Sequence, residues 1–252
     1  MELTVQKSKL AVEIPAELAR LFKIENNMEG VLPRLPQIKI IHQGQLFKMP
    51  DDTKPEVFEA IILDQHAANA WWEKAIVSGA PPEKPDCFSI DGVYPDKKCT
   101  KIQCETCKDC KQNQFESDRK GGKGKDCKNM KRLHIFMEGK ALPRRLSVPP
   151  TSITSFEKYM TELVDRGLPF PCVVTEFSLL KHDDGTNEYS EIIFIKGRVL
   201  VGDELYFVAD LIKKYKDGAR LQDIDSEEYE TQPVDKEPDT SFNYGPSDDI
   251  PL

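Results

Sequence analysis

Six of the chain's seven cysteines lie between positions 87 and 127, inside a stretch with no hydrophobic periodicity. From 78 to 126 the sequence is rich in Gly, Pro, Lys and Cys, and an insertion of that length needs something other than an apolar core to order it. A CxxC pair followed at a distance by further thiolates is the donor set of tetrahedral zinc. Cys107 and Cys110 form the short pair, and Cys127 and Cys87 complete four thiolates. Cys99 and Cys104 are available as substitutes, so the ligand choice stays open. Cys104, Cys107 and Cys110 also open like a ferredoxin run, but Gln114 stands where the fourth cysteine would fall, so an iron–sulfur cluster fits less well than Zn2+. No HExxH or HxE pattern surrounds His42, His66, His134 or His182, which argues for a structural metal and against an enzyme. Cys172 sits apart in an apolar strand and reads as a small core residue.

Around this loop the apolar pattern predicts a mainly β domain. Residues 15–24 suggest a short helix within an N-terminal extension, 1–34. Strands are expected at 35–42 and 57–63, with Trp71 and Trp72 on a short helix or loop after them. A strand at 132–137 follows the cysteine stretch, then a helix at 151–166 with Thr154 and Glu157 at capping-box spacing. A hairpin (172–180 and 191–201) turns around Asp183-Asp184-Gly185, and a last helix runs from 203 to Gly218. The order is that of an OB-like five-stranded barrel with flanking helices, the zinc-bound insertion (78–130) falling between strands two and three. Residues 35–218 make the domain, and 219–252 read as a disordered acidic tail.

The net charge of −8 hides an asymmetry. Residues 221–252 carry ten acids against Lys236 alone, whereas 97–145 carry fifteen Lys/Arg against six Asp/Glu. A basic middle in an acidic protein points to a polyanion partner. Lys123, Lys125, Lys128 and Lys131 lie among glycines that let a phosphate approach the backbone. Alternation puts Arg132, His134 and Phe136 on one face of their strand, and Phe194, Lys196 and Arg198 on one face of theirs. An aromatic beside cations is what base stacking with phosphate neutralisation needs. Trp71 and Trp72 are further stacking candidates.

The segments Asp86-Cys87-Phe88-Ser89-Ile90-Asp91-Gly92, Cys107-Lys108-Asp109-Cys110, Gly122-Lys123-Gly124-Lys125-Asp126-Cys127 and Lys131-Arg132-Leu133 resemble a group of phage and prophage single-stranded DNA-binding proteins. Leu146-Ser147-Val148-Pro149-Pro150-Thr151-Ser152, leading into a helix, fits that group too. The resemblance spans roughly 35–201. It implies an OB-type fold, Cys87, Cys107, Cys110 and Cys127 as metal ligands, and single-stranded DNA as partner; Cys99 and Cys104 are extra to its pattern. Separately, Asp248, Asp249, Ile250, Pro251 and Leu252 resemble the acidic tip with which bacterial single-stranded DNA-binding proteins recruit replication and repair proteins, with Leu252 in place of the usual Phe. The tail's charge could also fold back on the basic loop and compete with DNA. No aliphatic run is long enough to cross a membrane, and the first ten residues lack a signal-peptide core, so a cytoplasmic protein is expected. The rival class is a zinc-stabilised adaptor that binds only proteins. A nuclease using Asp183 and Asp184 has little support, because Asp-Gly at a hairpin turn has a backbone reason to be there.

Overall fold

The computed structural model describes residues 34–222 except 43, 75–82, 120 and 184–187, together with 15, 18, 27, 30, 31 and 224. The expected helix at 15–24, the turn at 184–185 and the acidic tip Asp248, Asp249, Ile250, Pro251 and Leu252 lie outside the described residues.

Eight strands and two helices follow in the order β1 (Gln37–Ile41), β2 (Leu46–Lys48), β3 (Phe58–Trp71), β4 (Cys87–Ser89), β5 (Lys128–Phe136), β6 (Arg144–Val148), α1 (Ile153–Asp165), β7 (Val173–Asp183), β8 (Glu188–Val199) and α2 (Asp203–Arg220). They form one curled mixed sheet, ordered β2-β1-β6-β5-β3-β7-β8, with β4 paired to the far end of β3. Every pairing is antiparallel except β1 with β6. The protein is thus mainly β as expected, but β2, β4 and β6 are additional strands and β3 runs eight residues beyond Leu63 to Trp71.

The length of β3 organises the rest. Its first residues pair with β7, its middle with β5, and its last three with β4. Ile62 joins Leu133, Ile135, Leu146, Phe177, Ile192 and Phe194 inside the curl, closed by Phe156, Tyr159 and Leu163 of α1. Ile61, Leu63 and Phe136 face the other way and are covered by Val208 and Leu211 of α2. Both faces of β3 and β5 are therefore buried here, which is why Ala60–Leu63 is apolar without alternation. Each fully buried large side chain contributes roughly 1.5–3 kcal/mol relative to exposure. A register shift between Ile62 and Asp64 divides this double-sided region from a polar continuation through Asp64, His66 and Asn69.

Both helices depart from expectation at their ends. The capping box does not form: α1 starts at Ile153 behind Ser152, which caps nothing with its side chain. Instead the Ser152 hydroxyl accepts the Ile192 amide at 2.9 Å. Val164 is exposed, and Tyr159 takes a core position, its hydroxyl 2.7 Å from that of Thr175. Helix α2 passes Gly218, and the chain stays packed afterwards: Ala219, Gln222 and Ile224 are buried. Gln222 accepts the Leu35 amide with its side chain and an Arg132 N–H with its carbonyl, while Ile224 packs on Ala68 and Met130. Ala219, Gln222 and Ile224, which fall in the expected tail, thus pack on the domain, and the tail beyond 224 lies outside the described residues.

Between β8 and β1 no ladder forms among the described residues. The Ser190 amide donates to His42 Nδ1 at 3.1 Å and its hydroxyl to the His42 carbonyl at 3.3 Å, which ties β8 to the residue after β1; the Ser152–Ile192 bond ties it to the turn before α1. Close to the other end of β8, a second register shift puts Gly197 against β7, where an added Cβ would sit 2.8 Å from the Val174 carbonyl oxygen. Gly197→Ala is expected to lower stability by about 1–3 kcal/mol, the usual cost of forcing atoms into a packed site, read as a lower urea midpoint at unchanged slope. An unchanged midpoint would mean that β8 shifts freely there.

Candidate functional site

Strand β4 carries the first cysteine of the cluster directly onto the sheet: Cys87 pairs with Trp71, and Phe88 with Ala70. The following turn needs a glycine. Gly92 has φ +74°, and a Cβ there would come within 2.6 Å of the Ala67 side chain, so the Asp91-Gly92 step serves close packing of loop on strand. Asp91 fixes the turn by accepting the amides of Val93 and Tyr94. The Cys107 amide donates to the Val93 carbonyl, and Asn113 Nδ2 donates to the Cys107 carbonyl. Cys110 leads into a single 3-10 turn, Lys111–Asn113. Cys127 is tied back by its amide to the Gln112 carbonyl, just before β5 begins. Asp126 is the polar keystone: it accepts Trp71 Nε1 at 2.5 Å and two N–H groups of Arg119, whose guanidinium also donates to the carbonyls of Trp72 and Glu73. Burial alone would raise the Asp126 carboxyl, but the Arg119 and Trp71 bonds hold it below the usual carboxylate range.

These elements bring Cys87, Cys104, Cys107, Cys110 and Cys127 around one cleft of about 330 Å³. Burial, with Cys107, Cys110 and Cys87 near it, pushes the Cys127 thiol up to about 12. Burial together with Cys99 and Cys107 pushes Cys87 to about 11, and burial raises Cys110. Cys107 and Cys127 thus lie within electrostatic reach of both Cys87 and Cys110, and Cys99 and Cys104 lie within reach of Cys87 and Cys110 respectively. Cys99 does not line the cleft but lies beside Cys87, its sulfur 3.1 Å from the Phe88 amide nitrogen and 3.2 Å from the Phe88 carbonyl oxygen. No three of these sulfurs close to within 4.8 Å of one another, and burial keeps Cys87, Cys110 and Cys127 as thiols; once deprotonated and drawn together, this donor set would suit a soft or borderline ion such as zinc.

The residues expected to face a nucleic acid are divided by the fold. Lys123 and Lys128 are exposed on the cysteine loop and its exit; Lys125 and Lys131 are half-buried there. The aromatics are elsewhere. Trp71 and Trp72 are buried, the first bonded to Asp126 and the second through Nε1 to the Glu83 carbonyl, so neither presents a stacking face. Phe136 lies under α2, its ring 5.3 Å from that of Phe207, and Arg132 and His134 are buried on the same side. The face of β8 is the reverse of that read from alternation: Phe194 points into the core among Phe156, Tyr159 and Phe177, whereas Ile195 is exposed. Arg198 is held bidentately by Glu204 at 2.8 and 2.9 Å, and the half-buried Lys196 donates to the Gly197 carbonyl. Burial removes Trp71, Trp72, Arg132, His134, Phe136 and Phe194 from any outer DNA face. The aromatic that sequence reading passed over is Phe115: it is 75% exposed, with Lys125 Nζ 5.0 Å from its ring centre. No periodicity marks it, because it sits in a turn.

Under the last turns of α2 lies a second cluster. Asp64, His66 and His134 bring one potential ligand atom each within 4.8 Å of the others, the only such group of three or more His, Cys, Asp or Glu among the described residues. Burial, reinforced by His134 and Arg132, pushes the His66 imidazole down to about 3, so the ring is neutral. Burial would raise the Asp64 carboxyl, but His134 and Arg220 beside it bring it well below the usual range. The chain matches no protein-family model, no curated protein and no solved structure. Among the described residues no helix is long and apolar enough to cross a membrane.

Proposed function

We propose that this protein binds single-stranded DNA without sequence preference and without chemistry, using the outer surface of a metal-ordered cysteine loop mounted on an OB-type barrel. The exposed Phe115 ring beside Lys125 carries this reading, on a loop that also exposes Lys97, Lys108, Lys111, Lys123 and Lys128. A base stacks on such a ring while lysines neutralise its phosphates. The OB reading is supported by the succession β3, β5, β6, α1, β7, β8, with β3 pairing to both β5 and β7. The β1–β2 hairpin then occupies the place where β6 would meet β8. Cys87, Cys107, Cys110 and Cys127 would hold Zn2+, whose role is to order the loop. In this reading the protein coats DNA during replication or recombination in the cytoplasm of the host of a phage or prophage, and the terminal acidic residues recruit replication or repair proteins.

Titration of mixed-sequence oligonucleotides at several salt concentrations tests it. Phe115→Ala is expected to weaken binding by about 1–3 kcal/mol. Replacing Lys123, Lys125 and Lys128 together by Ala is expected to reduce the salt slope by about 2, at roughly 0.7 per phosphate contact on single strands. A folded parent that ignores oligonucleotides would leave the loop as a protein-binding surface.

A further inference from the structure

The geometry points to a second metal site, made by Asp64, His66 and His134 between the sheet and α2, that takes a borderline transition ion of the zinc class without any cysteine. His66 and His134 stand on adjacent strands, β3 and β5, and project from the same face, their ring centres 5.2 Å apart. His134 is 2% exposed and His66 9%, and none of their four ring nitrogens has a hydrogen-bond partner. Leaving a buried polar atom unpaired costs about 1–3 kcal/mol. Two neighbouring imidazoles in that condition call for a ligand that takes lone pairs.

The carboxylate completes the set. His134 Nδ1 lies 3.7 Å from Asp64 Oδ2, too far for a hydrogen bond. Two ligands on one tetrahedral ion with bonds near 2.1 Å stand about 3.4 Å apart, so a small inward movement seats an ion between them. Arg220 donates to both Asp64 oxygens, at 2.6 and 2.7 Å. A carboxylate has about four lone-pair positions, so one on each oxygen remains, and a hydrogen-bonded outer partner is usual for a ligating carboxylate. A narrow cleft lined by Asp64, His134, Leu211 and Lys216 opens beside the cluster.

The neighbouring charges decide which ion. Lys216 Nζ is 3.8 Å from Asp64, and Arg132 and Arg220 are close by. A hard dication held by charge alone is disfavoured among three cations. An ion bound mainly through imidazole nitrogen is less affected, which selects Zn2+, Co2+ or Ni2+ over Mg2+ and Ca2+.

The test uses the full chain carrying one equivalent of Zn2+, held at its cysteines, and then titrated with Co2+. One further equivalent is expected, with visible bands of nitrogen and oxygen ligation and no thiolate charge transfer. His66→Gln and His134→Gln should each weaken it by more than about 100-fold, beyond the 10–100-fold typical of outer partners. Mg2+ and Ca2+ should not compete. Ring-nitrogen NMR of the unaltered protein under added Zn2+ covers the case of a variant that fails to fold. With four histidines in the chain, His66 and His134 should shift while His42 and His182 stay in place. Unshifted His66 and His134 signals, Co2+ binding unaltered in folded variants, or thiolate bands on the added Co2+ would overturn the site. Each readout is independent of whether the protein binds DNA.

Discussion

Chelation of the zinc proposed for the cysteine cleft is expected to dismantle residues 83–127 while the sheet remains folded. The loop has a small apolar anchor: Phe88 and Ile90 pack on Ala68 and Met130, while Val93, Tyr94, Ile102 and Phe115 are exposed and β4 is three residues long. Polar contacts, chiefly those of Asp91, Arg119 and Asp126, do the rest. Apparent zinc-binding energies in small thiolate sites are about 10–16 kcal/mol near pH 7, comparable with all of these ties together. The signal is built in. The chain's two tryptophans are both fastened to this loop, Trp71 through Asp126 and Trp72 through Glu83. A red shift of tryptophan emission, more thiols open to alkylation and nearly constant far-ultraviolet dichroism should appear together on metal removal. Protected thiols and unchanged emission in verified metal-free protein would show that the loop orders itself.

Replacing Phe194 by Ala is expected to cost about 3–5 kcal/mol of folding free energy, the range for deleting a buried aromatic ring. The ring lies 5.3 Å from Phe156, 5.5 Å from Phe177 and 5.8 Å from Tyr159, and so joins β8 to both α1 and β7. Urea unfolding of the variant measures the loss. A variant of parental stability that loses only DNA affinity would return Phe194 to the binding surface and turn β8 over.

That strand shows where sequence reading stops. Ile192, Ile193, Phe194 and Ile195 form an unbroken apolar run, so alternation cannot say which pair faces inward. Packing against α1 decides it, through contacts some forty residues away in sequence. The far half of β3 escaped for the opposite reason: Asp64, His66 and Asn69 break its apolar pattern, yet all three are buried under other elements. Strand β6 begins with Arg144-Arg145, which read as surface charge, although both side chains are buried. The cysteines were legible because ligand spacing is a local property, and the fold does bring Cys87, Cys107, Cys110 and Cys127 to one cleft. Asp64, His66 and His134 were not, since the third ligand stands on another strand after the whole insertion. The basic loop was readable by charge, but its aromatic was not: pattern favoured Phe136 and Phe194, and burial left Phe115 outside.

The seam between β8 and β1 gives the curl an order of opening. A ladder yields only when several backbone bonds break together, and those bonds support one another. Here the backbone amides of Ser190 and Ile192 are each satisfied by one side chain, an imidazole and a hydroxyl. Each is a single bond, without the neighbouring ladder bonds that reinforce one another in the β3–β5 pair. Local unfolding therefore starts at this line, with amide exchange there requiring less free energy than at the β3–β5 ladder. Parting the seam uncovers the backbone edge of β8 while both helices keep their seats, and an exposed strand edge is a template for another extended chain. The Ser152 and His42 side chains occupy two of the amides that such a chain would pair with.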